Sequence, residues 1–177
     1  MSEAEAKPPS KEVGIASIVG RIAQYVNKGL SPGDVAQLRR ITWADANCRA
    51  FWRLAAEVLV PDGAIPEGAG RDDAERRWAV ILNAIALANG LYAPRRRMGA
   101  ALADAGFSEL RFVRLLRASG PAVGSAAATA VRYLAAKGEP FDFAELALLV
   151  LSDGRADEAD VRKRLARSYY AAENAKA

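Results

Sequence analysis

"IASIVGRIAQYVNKGLSPGD", residues 15–34, decides the fold class. Ile15, Ile18, Ile22 and Val26 recur at the spacing of one helical face. Gly29 then stops the helix, because glycine tolerates the backbone that closes a last turn. Ser31 is an N-cap and Pro32 suits the first position of a new helix, where its missing N–H costs nothing.

The same punctuation continues outward. Leu38, Arg39 and Arg40 ride on the short helix that Ser31 starts. Residues 46–60, "ANCRAFWRLAAEVLV", predict a third helix with Phe51, Trp52, Ala55 and either Leu59 or Val58 inward. Pro61 to Asp73 reads as a Gly- and Pro-rich loop. "DDAERRWAVILNAIALANG" (72–90) is the next helix, capped by Asp72 or Asp73, with Trp78, Ile81, Leu82, Ile85 and Leu87 supplying core. "NGLYAP" turns into "RRRMGAALADAG", Ser108 caps "ELRFVRLLR", and "GPAVGS" breaks the chain again. Helices over roughly 125–137 and 143–151 follow, and a last one begins near Asp157. No stretch alternates as a convincing strand. The expectation is an all-α fold of about nine helices packed as two small helical bundles. A flexible tail is expected over 1–12, an N-terminal bundle over 13–94 and a C-terminal bundle over 95–177.

Composition narrows the function classes. Of 177 residues 51% are hydrophobic, enough for a real core. The net charge of +4 is too mild to identify a partner. Arg outnumbers Lys by 19 to 6. That ratio fits either the planar fork that suits phosphate oxygens or a codon bias toward Arg and Ala. There is no histidine, which removes Ser-His and Cys-His catalysis and imidazole metal sites. The single cysteine, Cys48, forms no internal disulfide, which fits a reducing compartment. The polar start "MSEAEAKPPSKE" lacks a signal-peptide core, and no apolar run nears the roughly 20 residues of a membrane span. The expected location is therefore cytoplasmic, away from membranes. Walker, GxGxxG and GxSxG motifs are missing. The paired acids, Asp72 with Asp73 and Asp157 with Glu158 and Asp160, sit at helix starts, where acids are expected. Neither enzyme activity, a cofactor nor a metal is expected.

Charge is segregated along the chain. Arg76 to Lys137 holds ten basic residues against Asp104 and Glu109. Gly138 to Val161 holds seven acids against Arg155. Within "ELRFVRLLR", Arg111, Arg114 and Arg117 fall at about 0°, −60° and −120° round the helix. Leu115, Phe112 and Leu116 fall at about 40°, 100° and 140°. The arginines thus form one basic stripe beside an apolar one. Such a stripe either contacts phosphates or pairs with acids elsewhere in the fold. Arg39, Arg40, Arg49 and Arg53 lie near Trp43, Phe51 and Trp52, aromatics that read as core rather than base-stacking platforms. The "RRR" at Arg95–Arg97 reads as a loose backbone contact or as solubilising charge. Lys163, Arg164 and Arg167 suit the C-terminal part of a helix.

Several motifs occur in a familiar order and spacing: "LRR" (38–40), "FWRL" (51–54), "WAVILNAIALA" (from 78), "GAALADAGFSELRFVRLLRA" (99–118), "FDFAELALLVL" (from 141) and "RKRLARSYY". Together they resemble the CasB small subunit of type I-E CRISPR Cascade, over roughly residues 15 to 172. The resemblance implies a non-catalytic, all-helical subunit of an RNA-guided antiviral complex. It implies head-to-tail self-pairing between the large subunit and the backbone subunits that wrap the guide RNA. It also implies a basic surface that holds nucleic-acid backbone, notably the displaced non-target strand of target DNA in the R-loop. Matching positions are Arg40, Arg111, Arg117 and Arg132; Arg39 and Arg114 join them on charge. The loop 61–73 and the N-terminal tail have no clear counterpart in that family.

Other readings compete. "MGAALADAGFSELRFVRLLRAS" has the outline of a helix-turn-helix DNA-binding regulator, but Glu109, Leu110 and Phe112 occupy positions where base-reading polar residues belong. A helical adaptor with a basic surface for an acidic protein is the second. A hydrolase is remote without histidine.

Overall fold

A computed structural model describes residues 14–176. The tail expected over 1–12 lies outside the described residues. Helix α1 (Ile15–Lys28) buries Ile18, Val19, Ile22, Ala23 and Val26, and Gly29 caps its end. Helix α2 (Pro32–Leu38) begins as the sequence indicates: the Ser31 hydroxyl accepts from the Asp34 amide at 3.1 Å, and Pro32 opens the helix.

Helix α3 (Arg49–Leu54) starts later than expected and widens into a π-turn over Ala55–Leu59, where the Val60 amide donates to the Ala55 carbonyl at 2.9 Å. Phe51, Leu54, Ala55 and Leu59 are buried, but Trp52 is not. It is 43% exposed, a correction to the inward placement. Trp52 lies about 100° round the helix from Phe51, past the edge that the core covers.

Helix α4 (Arg71–Leu87) also corrects its expected cap. Gly70, at φ 87, is the N-cap, because that left-handed backbone suits glycine better than aspartate. Asp72 and Asp73 stand in the first turn instead. Every residue from Arg77 to Ala86 is buried, while Leu87 is half-buried. A helix this apolar on all sides belongs at the centre of a fold. It does sit there, packing on α1, α2 and, further along the chain, α7 (Pro121–Lys137) and α8 (Phe143–Ser152). Helices α5 (Met98–Asp104), α6 (Glu109–Arg117) and α9 (Glu158–Asn174) complete nine α-helices, with no named strand, among the described residues. The fold is all-α. The helices before and after residue 94 share one core, with α1 on α8 and α4 on both α7 and α8.

Helices α5 and α9 make the most intimate pair. A Cβ at Gly99 would stand against the Leu165 carbonyl and 2.8 Å from the Tyr169 nitrogen. Helix α7 begins at Pro121, earlier than the expected start near residue 125, with proline at its first position.

Two of the three arginines in the "RRR" segment are held by acids, while the exposed Arg95 side chain forms no salt bridge among the described residues. Arg96 pairs with Asp104 at 2.8 Å and Glu139 at 2.6 Å. Arg97 pairs with Glu145 at 3.0 Å, and the same carboxylate accepts from the Met98 amide at 2.6 Å. Asp142 accepts from the Arg95 amide at 3.1 Å and from the Ala144 amide at 2.9 Å, so it caps α8. A short bridge between Tyr92 and Phe141 completes this seam. The acidic segment thus staples the connection before α5 to the start of α8.

Candidate nucleic-acid interface

Helix α6 presents two faces. Phe112 and Leu115 are buried, and Arg111, Arg114 and Arg117 are exposed. The buried face is fixed from α9: the Phe112 ring stacks on Tyr169 at 3.8 Å and 8°, and the Tyr169 hydroxyl donates to the Phe107 carbonyl at 2.6 Å. Burial raises the pKa of that phenol and keeps it a donor. Ser108 is the N-cap by position, in extended backbone, but its hydroxyl accepts no capping hydrogen bond.

The C-terminal end of α6 is held from below. Arg162 of α9 donates to the Leu116 carbonyl, to the Ala118 carbonyl at 2.8 Å and to Asp153 at 3.1 Å. Asp153, 4% exposed, also accepts from the Gly120 amide at 2.8 Å. This cluster sets the corner between α6 and α7, and with it the direction of the arginine row.

None of Arg111, Arg114, Arg117 and Arg132 forms a salt bridge among the described residues. The acids that sequence order made available are turned elsewhere. Asp104 pairs with Arg96, and Glu109 accepts from the Tyr170 hydroxyl at 2.9 Å. Arg77, counted with the basic segment, is buried and donates to Asp73 and to the Val150 carbonyl, each at 2.7 Å. The segment's charge therefore divides between internal staples and a free row. Arg111 lies 6.0 Å from the centre of the Tyr133 ring, whose hydroxyl donates to the Ala105 and Gly106 carbonyls.

The arginine row borders a groove of about 680 Å³ between α6 and α7. Its walls combine the three arginines with Leu110, Val113 and Ala126, and Ser125 and Thr129 stand on the α7 side. A second hollow, about 420 Å³, lies where the 41–44 loop meets α4 and α7. Thr42, Trp43, Asn83 and Arg132 line it, again with Ser125 and Thr129. One face of α7 thus separates the α6 arginines from Arg132.

Arg39 and Arg40 follow the end of α2 beside that loop. Asn83 donates to the Leu38 carbonyl at 3.1 Å and the Arg39 carbonyl at 2.9 Å, pinning this end to α4. Arg39 donates through Nε to the Ala86 carbonyl at 3.0 Å, whereas Arg40 is exposed and forms no salt bridge among the described residues. Sequence reasoning missed Ser125, Thr129 and Thr42 as neighbours of the row. Their polarity gave no signal without the fold that brings them together. Among the described residues no group of three or more acids or cysteines is placed to hold a metal, and no helix is long and apolar enough to cross a membrane.

A family model described as CRISPR-associated protein Cse2 matches residues 34–170. The chain belongs to the Cse2 family. Cse2 is the CasB small subunit of type I-E Cascade, so the family is one of structural Cascade subunits. The resemblance carried by the ordered motifs is thereby borne out. The Cse2 match runs from within α2 through α8 to most of α9, and includes all six arginines singled out from sequence. No curated protein and no solved structure matches the chain.

Proposed function

We infer that this Cse2 chain is a non-catalytic small subunit that holds nucleic-acid backbone, notably the displaced non-target strand, and so stabilises the R-loop. The observation that carries the reading is the row of Arg111, Arg114 and Arg117, exposed together and without carboxylate partners among the described residues. Like charges gathered on one face repel one another, and a polyanion relieves that repulsion while releasing counterions. In a guide-directed complex base pairing supplies sequence, so a protein surface need only follow phosphates and unpaired bases. Arg132 on α7, and Arg39 and Arg40 at the end of α2, are the further proposed backbone contacts; Ser125 and Thr129 stand between the α6 groove and the hollow that Arg132 lines. The guide RNA, the large subunit, the backbone subunits and a second copy paired head to tail are the proposed partners, in the cytoplasm.

The test is binding of the full-length chain to labelled single strands of unrelated sequence at about 50 mM salt. Equal affinity across sequences is expected. Preference for one duplex sequence under competition would favour the helix-turn-helix regulator, and no binding to any strand would favour the adaptor.

A further inference from the structure

The α3 face carries an aromatic that neither the core nor the arginine row uses. Trp52 is 43% exposed. Its indole N–H donates to Asn47 Oδ1 at 3.1 Å, and the buried Phe51 ring meets it edge to face at 5.0 Å and 79°. Both contacts fix the ring's attitude. With its polar edge satisfied, what Trp52 offers to solvent is a π surface.

The surroundings decide what that surface fits. Arg49 and Arg53 stand one turn before it and next to it on α3, and both are exposed. Arg53 pairs with Glu57 at 3.0 Å, while Arg49 forms no salt bridge among the described residues. The Ala50 amide donates to Gln37 Oε1 at 3.3 Å, which seats the start of α3 on the last turn of α2. Arg49 and Arg40 therefore stand at the two sides of one α2–α3 junction. A protein-binding patch has an apolar core several side chains wide. Here the other exposed large hydrophobics among the described residues are Leu110, beside the α6 groove, and Tyr170, on α9. A single fixed ring beside an unpaired arginine matches the stacking platforms that hold single strands.

We propose that Trp52 is a base-stacking platform for single-stranded nucleic acid, with Arg49 holding the adjoining phosphate. It rests on the nucleic-acid reading above and names the chemistry that reading lacks: a contact to bases. Stacking is tolerant of sequence because every base has a π face, so the contact separates unpaired strands from duplex without reading order.

The test compares a thymidine homopolymer with an abasic deoxyribose-phosphate polymer of the same length, on full-length wild type, Trp52→Ala and Trp52→Phe. Trp52→Ala should weaken homopolymer binding by between about fivefold and about a hundredfold and leave abasic binding unchanged. Trp52→Phe should recover part of the loss, and circular dichroism checks that both variants fold. Equal loss on both polymers, or no loss on either, overturns the platform. So does a Trp52→Ala chain that binds the homopolymer normally but no longer joins the other Cascade subunits; the face would then be a protein contact. If wild type binds neither polymer, the nucleic-acid reading itself fails along with it. If wild type binds both and Trp52→Ala matches it, only the platform fails.

Discussion

Arg162 and Asp153 meet beneath the corner of α6 and α7, with Nη2 and Oδ1 3.1 Å apart. Arg162 also takes the last carbonyls of α6, and Asp153 takes the Gly120 amide. Both side chains are largely buried, so Arg162→Met leaves the Asp153 carboxylate out of water with the Gly120 amide and Arg77, 4.0 Å away, in place of its nearest cation. Arg162→Met should therefore lower stability by about 3 kcal/mol, read as an earlier midpoint in urea unfolding. A change within about 0.5 kcal/mol, the range of ordinary surface substitutions, would show that the corner does not depend on this pair.

The α5–α9 contact makes a second stability prediction. A methyl group at Gly99 has no room between the Leu165 carbonyl and the Tyr169 nitrogen, both backbone atoms. Gly99→Ala should cost about 1–3 kcal/mol by forcing the helices apart. In a domain of this size that lowers the melting temperature by several degrees, roughly 2–4 °C per kcal/mol. Gly33 inside α2, whose added Cβ would make only an ordinary contact 3.8 Å from Ser31 Oγ, provides the control: Gly33→Ala should not destabilise.

Paired and unpaired arginines should separate in binding experiments. Arg96 and Arg97 are held by Asp104, Glu139 and Glu145. Arg96→Ala is expected to cost stability, about 1 kcal/mol for ion pairs that remain partly exposed, and to leave strand affinity nearly unchanged. Arg114→Ala is expected to do the reverse. Thermal melts and strand-binding titrations on the two variants check both halves.

Binding should also be flat in pH. The chain has no histidine, the side chain that ordinarily changes charge between about pH 5 and 8. Affinity for a single strand at fixed salt should therefore hold steady across that window. A steep change would point to a titrating partner of the strand outside the arginine row.

The helices were legible because their signals are local. Gly29, Ser31 with Pro32, Asp157 and the all-round apolar run after Trp78 each mark structure within a few residues. Trp52 was misplaced because helical periodicity names a face without saying where the core's edge falls. Gly70 is hidden as a cap by Asp72, a better cap by residue type two positions on, and only the backbone angle distinguishes the two. The charge segregation along the sequence is only partly a segregation in space. Glu139, Glu145 and Asp153 return in space to Arg96, Arg97 and Arg162, so much of the acidic segment staples the fold. The α6 stripe has no carboxylate partner among the described residues because its nearest acids, Asp104 and Glu109, turn to Arg96 and Tyr170. The α6–α7 groove was not legible at all, since Leu110 and Ser125 meet there only through the corner that Asp153 fixes.

The most direct test of the central claim is the salt dependence of single-strand binding by Arg111→Ala/Arg114→Ala/Arg117→Ala. Each lost phosphate contact should remove about 0.7 from the slope of log affinity against log salt, so the slope should shrink by about two. Affinity should fall alike for unrelated sequences. An unchanged slope in a folded triple variant would contradict the assignment of the α6 row to nucleic-acid backbone.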